Sequence, residues 1–179
     1  DSIKPIEISK VFSESLKTSK TLIDVGFGGG FPILPLAYTH PTNKFIGVET
    51  RGKKVKVVGE ISHKLGLNNT SFVHSRIENV FIDFPAIVTF KAVGKVYDFL
   101  SRINTDQKIQ VFFYKGPNFY ELEKEQLKLV KKEWKIIEEV EIDVEGTEKR
   151  YLIGFENVKV PCGTNTKTSK NLVKLSQLL

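Results

Sequence analysis

The chain contains no methionine, one cysteine (Cys162), one tryptophan (Trp134) and three histidines in 179 residues. A single cysteine excludes an internal disulfide framework and fits a reducing compartment, and Cys162 has no neighbour that would activate it as a nucleophile. His40, His63 and His74 fall by pattern in a loop, a helix and a strand, without the spacing of a metal site or proton relay, so no metal is expected. No apolar run approaches the ~18 residues of a membrane span, and no charged-then-apolar leader opens the chain. A soluble, cytoplasmic monomer without a membrane partner is the expectation. The stretch before Thr21 is a weakly apolar lead-in with no strong period, opening on Asp1, and an N-terminal part is expected ahead of it. Acids are missing from 157–179, which carries Lys159, Lys167, Lys170 and Lys174 and reads as a mobile basic tail or a strap over the sheet edge.

What is present bounds the rest. With 40% hydrophobic residues the chain can bury one good core, so 1–179 is expected to form a single domain. A net charge of +6 and a pI near 9.3 favour an acidic partner such as nucleic acid.

The chemistry concentrates in Leu22-Ile-Asp-Val-Gly-Phe-Gly-Gly-Gly-Phe-Pro32. Thr21–Val25 is a short apolar run suited to a central parallel strand, and Gly26, Gly28, Gly29 and Gly30 let the backbone turn and approach a ligand. Pro32 suits a helix start, with Ile33, Leu36 and Ala37 on one face. A dinucleotide fingerprint, G-x-G-x-x-G, fails here: starting from Gly26 and Gly28 its third glycine would be Phe31. The residues spell D-x-G-x-G-x-G instead. Asp24 would repel a pyrophosphate but suits a ligand with an ammonium and a sulfonium, which is S-adenosylmethionine. Glu49 ends the next apolar run, where its carboxylate can accept from both ribose hydroxyls. The competing readings are a helix connection without ligand for the loop and a solvated strand end for Glu49.

Downstream, a helix from Arg51 is expected to turn Val55, Val58, Ile61 or Ser62, and Leu65 inward and to stop at Gly66. Its other face carries Arg51, Lys53, Lys54 and Lys56, a candidate phosphate contact or simply a solvated face. Thr70–His74, Ala86–Lys91 and Lys108–Lys115 read as further strands, with helical residues Val96, Phe99, Leu100 and Ile103 between the last two. Asn118 is placed to cap a charged helix reaching about Glu133, and Trp134–Val144 and Arg150–Glu156 flank a hairpin turn at Glu145-Gly146-Thr147. This order predicts an α/β fold with a mostly parallel sheet and one antiparallel strand at its end.

Four pieces together resemble the small-subunit ribosomal RNA guanine-N7 methyltransferases, the glucose-inhibited division protein B family: Asp24 to Pro32 followed by Leu34-Pro-Leu-Ala37; Gly52-Lys-Lys-Val55; Leu65-Gly-Leu-Asn68; and Ser75-Arg-Ile-Glu78. Lys91-Ala-Val93 and Lys115-Gly116 fit more loosely, and the likeness fades after about Glu156. The resemblance implies a Rossmann-like class I S-adenosylmethionine-dependent methyltransferase, with a seven-stranded sheet closed by a C-terminal antiparallel hairpin and further helices ahead of Asp1. It implies that Gly26 and Phe31 line the S-adenosylmethionine pocket, that Ile77 and Glu78 flank the adenine, and that Lys91 replaces a cofactor-side arginine, keeping the charge without the planar fork. The acceptor it implies is a guanine of small-subunit (16S) ribosomal RNA, free or in its assembling particle. Guanine N7 has a lone pair and no proton, so no catalytic base is expected. Lys115 is a candidate near the base or a structural cap. Two rival readings are a methyltransferase of the same fold acting on a small molecule or protein, and a cofactor-free RNA-binding module.

Overall fold

The computed structural model describes residues 2–130, 133–146, 148–158 and 172–179. In chain order its elements are α1 (Lys4–Ile8), α2 (Lys10–Ser19), β1 (Thr21–Val25), α3 (Ile33–Thr39), β2 (Lys44–Glu49), α4 (Gly52–Lys64), β3 (Thr70–His74), β4 (Val80–Ile82), β5 (Ile87–Lys91), α5 (Val96–Leu100), β6 (Asn104–Thr105), β7 (Gln110–Lys115), α6 (Phe119–Val130), β8 (Trp134–Ile142), β9 (Arg150–Asn157) and β10 (Val173–Lys174). Seven strands form one sheet in the order β3-β2-β1-β5-β7-β9-β8, and β4, β6 and β10 form a second, small parallel sheet.

The apolar runs become central strands because both of their faces are covered. Ile23, Val25, Ile46, Val48, Val88, Phe90, Val111 and Phe113 pack on one side of the large sheet, and Leu22, Phe45, Ile87 and Phe112 on the other. β1, β2, β3, β5 and β7 run parallel, and β9 alone runs against its neighbours β7 and β8. The reversed strand therefore lies inside the hairpin, and β8 forms the sheet edge. The chain passes outward from β1 to β3 and then returns to pair β5 with β1, so the topological switch point lies between the carboxyl ends of β1 and β5. In open α/β sheets that is where ligands bind.

Several local expectations are corrected. The lead-in before Thr21 is not featureless: it forms α1 and α2, with Ser9 accepting from the Phe12 N–H at 2.9 Å as an N-cap and Phe12 and Leu16 buried one helical turn apart. Exposed Ile3 and Ile8 on other faces obscured that period. In α4 the inward residue is Ser62 rather than Ile61, because its hydroxyl bonds Thr70 Oγ1 at 2.6 Å, and Leu65 is exposed. Gly66 does terminate this helical stretch, at φ +69°. The small sheet has no counterpart in the sequence reading, since its strands of two or three residues are too short to show a period. At the chain's end, Val173 and Lys174 pair with β4, Leu175 is buried, and Ser176 bonds the Asp83 carboxylate. Cys162, Lys159, Lys167, Lys170 and Thr147 lie outside the described residues.

Candidate functional site

The glycine loop is anchored from both sides. Gly26, Gly28 and Gly30 have φ of +70°, +54° and +91°, a region that side chains rarely adopt. Phe27 dives back into the core between them, where its ring meets Phe72 edge-on at 5.3 Å. Gly47 on β2 makes room for it, because a Cβ there would lie 2.6 Å from the Phe27 ring. Gly30 serves packing: a Cβ on it would sit 2.6 Å from Leu34 Cδ1. The Gly26 N–H donates to the Val48 carbonyl at 2.8 Å, tying the loop to β2.

Asp24 is fully buried on the α3 side of the sheet. Thr89, its register partner on β5, donates to Oδ1 at 2.9 Å, and Oδ2 has no hydrogen-bond partner among the described residues. Burial pushes this carboxyl up to about 7, against the pull of the Thr89 hydroxyl and the Lys91 ammonium. Glu49 behaves oppositely. Burial raises its carboxyl, but donors outweigh that and hold it below the usual range: the Arg51 N–H at 3.0 Å, the Gly28 N–H at 3.1 Å and the Thr50 hydroxyl at 3.1 Å. Glu49 is thus the clamp that joins the glycine loop to the start of α4, with at least one of its roughly four acceptor positions left over.

A cavity of about 230 Å³ opens where the loops after β1, β2 and β3 meet. Gly26, Ile77 and Glu78 line it, as do Val93, Phe99 and Arg102 from the loop after β5 and from α5 and its end. Ile77 is buried, and Glu78 pairs with Arg76 at 3.6 Å. The other sequence candidates surround this cavity rather than line it. Phe31 is 57% exposed and stands at the rim. Lys91 ends β5, where burial and the nearby Arg150 guanidinium lower its ammonium against the opposing Asp24 charge. On α4, Arg51, Lys53 and Lys56 are exposed, whereas Lys54 is half-buried and reaches the loop, its Nζ 3.5 Å from where a Gly28 Cβ would be.

Lys115 does not face solvent. Its side chain is 9% exposed and forms an ion pair with Glu123 (6% exposed), while its ammonium also donates to the Gly94 carbonyl at 2.8 Å. Glu123 Oε2 in turn accepts from the Val96 N–H at 2.7 Å. This geometry is the structural cap, joining β7, the β5–α5 loop and α6. Thr89, Val93 and Arg102 are site residues that sequence reasoning missed. Only Val93 carried a signal, as the end of the loosely matching Lys91-Ala-Val93.

The arrangement fits S-adenosylmethionine in charge and shape. A carboxyl with an unpartnered buried oxygen favours a nearby cation, most strongly in a low dielectric, and a small, partly apolar cavity between three strand ends suits a base. Among the described residues no group of histidines, cysteines and acids is arranged to hold a metal ion. No described helix is long and apolar enough to cross a membrane.

A family model described as rRNA small subunit methyltransferase G (GidB) matches residues 1–153. The chain belongs to this family. Ribosomal RNA small subunit methyltransferase G of Christiangramia forsetii is 42% identical over 76 residues, covering 42% of this chain and 36% of that protein. The protein of the same name from Lactobacillus helveticus is 33% identical over 168 residues, covering 89% of this chain and 69% of that one. The match to a Bacteroides fragilis relative likewise spans only 42% of its length. Among solved structures, an S-adenosylmethionine-dependent methyltransferase from Aquifex aeolicus superposes with a TM-score of 0.58 at 21% identity, covering 86% of this chain and 92% of the other. A 16S rRNA (adenine(1408)-N(1))-methyltransferase from Catenulisporales acidiphilia gives 0.59 at 18% identity over the same shares. The fold is therefore the Rossmann-like one of S-adenosylmethionine-dependent methyltransferases, including the antiparallel hairpin.

Proposed function

We propose that this protein transfers a methyl group from S-adenosylmethionine to N7 of a guanine in small-subunit ribosomal RNA. It acts as a cytoplasmic monomer on the free RNA or on the assembling particle. The observation that carries the reading is the cavity at the β1–β5 switch point, flanked by Asp24 and Glu49, in a chain of this family. Gly26, Ile77 and Glu78 would hold the adenosine part, with Glu49 accepting from the ribose by its remaining lone pair. Asp24 would favour the ammonium end through its charge, and Lys91 would balance that charge. Gly28, Gly30 and Phe31 shape the loop between them.

S-adenosylmethionine supplies an electrophilic methyl on a sulfonium. The protein's share is to align a nucleophile with it and to exclude water, because guanine N7 attacks through an in-plane lone pair and has no proton to lose. No side chain is needed as a base, in keeping with the absence of a histidine or lysine lining the cavity.

Two measurements test this. Calorimetric titration with S-adenosylmethionine should give saturable binding. Incubating ribosomal RNA or immature small subunits with the protein and cofactor, then treating the RNA with borohydride and aniline, should cut it at a methylated guanine. Methyl incorporation into a protein or metabolite, with none in RNA, rejects the acceptor.

A further inference from the structure

A second cavity, of about 460 Å³, lies at the carboxyl ends of β5 and β7, beside the one assigned to the cofactor. Its walls come from the β5–α5 loop (Val93, Lys95) and from the segment leading into α6 (Asn118, Phe119, Leu122). Val93 lines both cavities and is the partition between them. We propose that this second cavity receives the acceptor guanine as an unpaired or flipped-out base, with Asn118 reading its polar edge; the proposal rests on the RNA guanine-N7 reading above.

Three observations lead there. The first is adjacency: Val93 Cγ1 stands 3.5 Å from where a Gly26 Cβ would be, so a ligand in the glycine-loop cavity and a base in the second cavity meet across a single side chain. The second is size and chemistry. The cavity lies within the ~300–1,000 Å³ range of small-molecule sites, with apolar walls and few polar groups. The amide of Asn118 is exposed, and it alone among the cavity's side chains can both accept from guanine N1–H or N2–H and donate to O6. Exposed Lys95 at the rim matches the flanking phosphate. The third is local construction. Ala92, immediately before Val93, sits at φ +53°, a conformation that costs a non-glycine residue energy and persists only where its surroundings enforce it. The enforcing contact is the buried Lys115–Glu123 pair, whose partners Gly94 and Val96 bracket the loop.

The substrate itself requires such a pocket. N7 of a paired guanine in A-form RNA faces a deep, narrow groove that side chains do not enter, and enzymes that modify a base take it out of the stack. A surface that only gripped phosphates would leave N7 out of reach of the methyl.

The test uses small-subunit ribosomal RNA transcribed with 6-thioguanosine, irradiated with the full chain and S-adenosylmethionine, and the cross-linked peptide identified by mass spectrometry. Alongside it, Asn118→Ala and Leu122→Glu are assayed for methyl transfer, RNA binding and cofactor binding; Leu122 is 67% exposed, so its substitution spares the core. The expected result is a cross-link within 93–95 or 117–122, and transfer efficiency lowered by about 10- to 100-fold, the usual cost of losing a bidentate base contact. Cofactor affinity should be unchanged and overall RNA affinity altered less than about threefold, since phosphate contacts dominate it. A parent protein that methylates RNA but cross-links only elsewhere, or variants with parental transfer rates, overturns the pocket while sparing the function. A parent that binds the cofactor and methylates no RNA overturns both.

Discussion

On the β1–β2 side of the strand ends, polar groups are held by neighbours close in sequence: Glu49 clamps Gly28, Thr50 and Arg51, and the loop folds over Phe27 within a few residues of its own strand. On the β5–β7 side the corresponding groups are held from far away. Lys115 meets Gly94 and Glu123, Asp24 meets Thr89 across 65 residues, and Lys91 feels Arg150 from the distant hairpin. The first side is assembled by glycine conformation and backbone donors, which survive many side-chain changes. The second depends on buried charges, which are costly unless every partner is in place. The cofactor side should therefore tolerate single substitutions by losing affinity, and the other side should answer them with stability.

The largest effect is expected at Lys115→Met. It leaves Glu123 as a buried charge without its counter-ion and should cost about 3–5 kcal/mol in chemical denaturation. Adding Glu123→Gln should recover most of that loss. A cost under about 1 kcal/mol would mean that the pair is not the anchor described here.

Asp24→Asn comes next and has the opposite sign. The folded carboxyl titrates at about 7 against 3.8 for an ordinary aspartate, so between those values the folded chain holds a proton that the unfolded chain has lost. Its contribution is fully present below pH ~4, is lost as pH rises through about 7, and is flat above; by linkage it amounts to at most ~4 kcal/mol. The Asn variant lacks this slope and should be the more stable protein at pH 8. It should also bind S-adenosylmethionine more weakly, because the ligand's cation favours the ionised acid. In the parent, that affinity should rise with pH up to about 7 and then level off. Superimposable stability–pH curves for parent and variant would remove the argument from Asp24.

Glu49→Ala tests the cofactor side with a smaller expected loss. Cofactor affinity should fall by about 1–3 kcal/mol, the range for charge-assisted hydrogen bonds. Because the same carboxylate holds the Gly28 and Arg51 N–H groups, hydrogen exchange at those two amides should speed up even without ligand. Parental affinity with faster exchange would leave Glu49 a loop clamp and nothing more.

The same contrast explains what could be read from sequence. β1, β2 and β3, the glycine loop and Glu49 are legible because strand, turn and acid follow one another at short spacing, each with its own local signal. The hairpin is legible from alternation around Gly146, which has φ +75°. Thr89, Val93 and the Lys115–Glu123 pair are not, since nothing near Thr89 announces an aspartate 65 residues earlier, and a lysine at a strand end looks solvated until α6 is folded over it. α2 and the small sheet failed for a different reason: elements this short, or apolar on more than one face, carry little period. Gly30 and Phe31 show the limit from the other side, because the loop was read as a unit, while Gly30 is there to let Leu34 pack and Phe31 points into solvent.

The smallest expected effect separates the basic residues of α4 from one another. Lys53 and Lys56 are exposed, so their ammonium groups cost little to bring to a phosphate; Lys54 is half-buried against the glycine loop. If RNA crosses this face, Lys53→Glu and Lys56→Glu should each weaken RNA binding and flatten its dependence on salt by a slope of roughly one per lost contact, with cofactor affinity unchanged. Lys54→Ala should behave differently, changing cofactor affinity as well, because its removal frees the loop at Gly28. Measured across a salt series, the three variants thus distinguish a helix face that grips RNA from one that is only solvated. In the solvated case the two exposed lysines leave the slope where it was, and Lys54 alone keeps an effect, through the cofactor side.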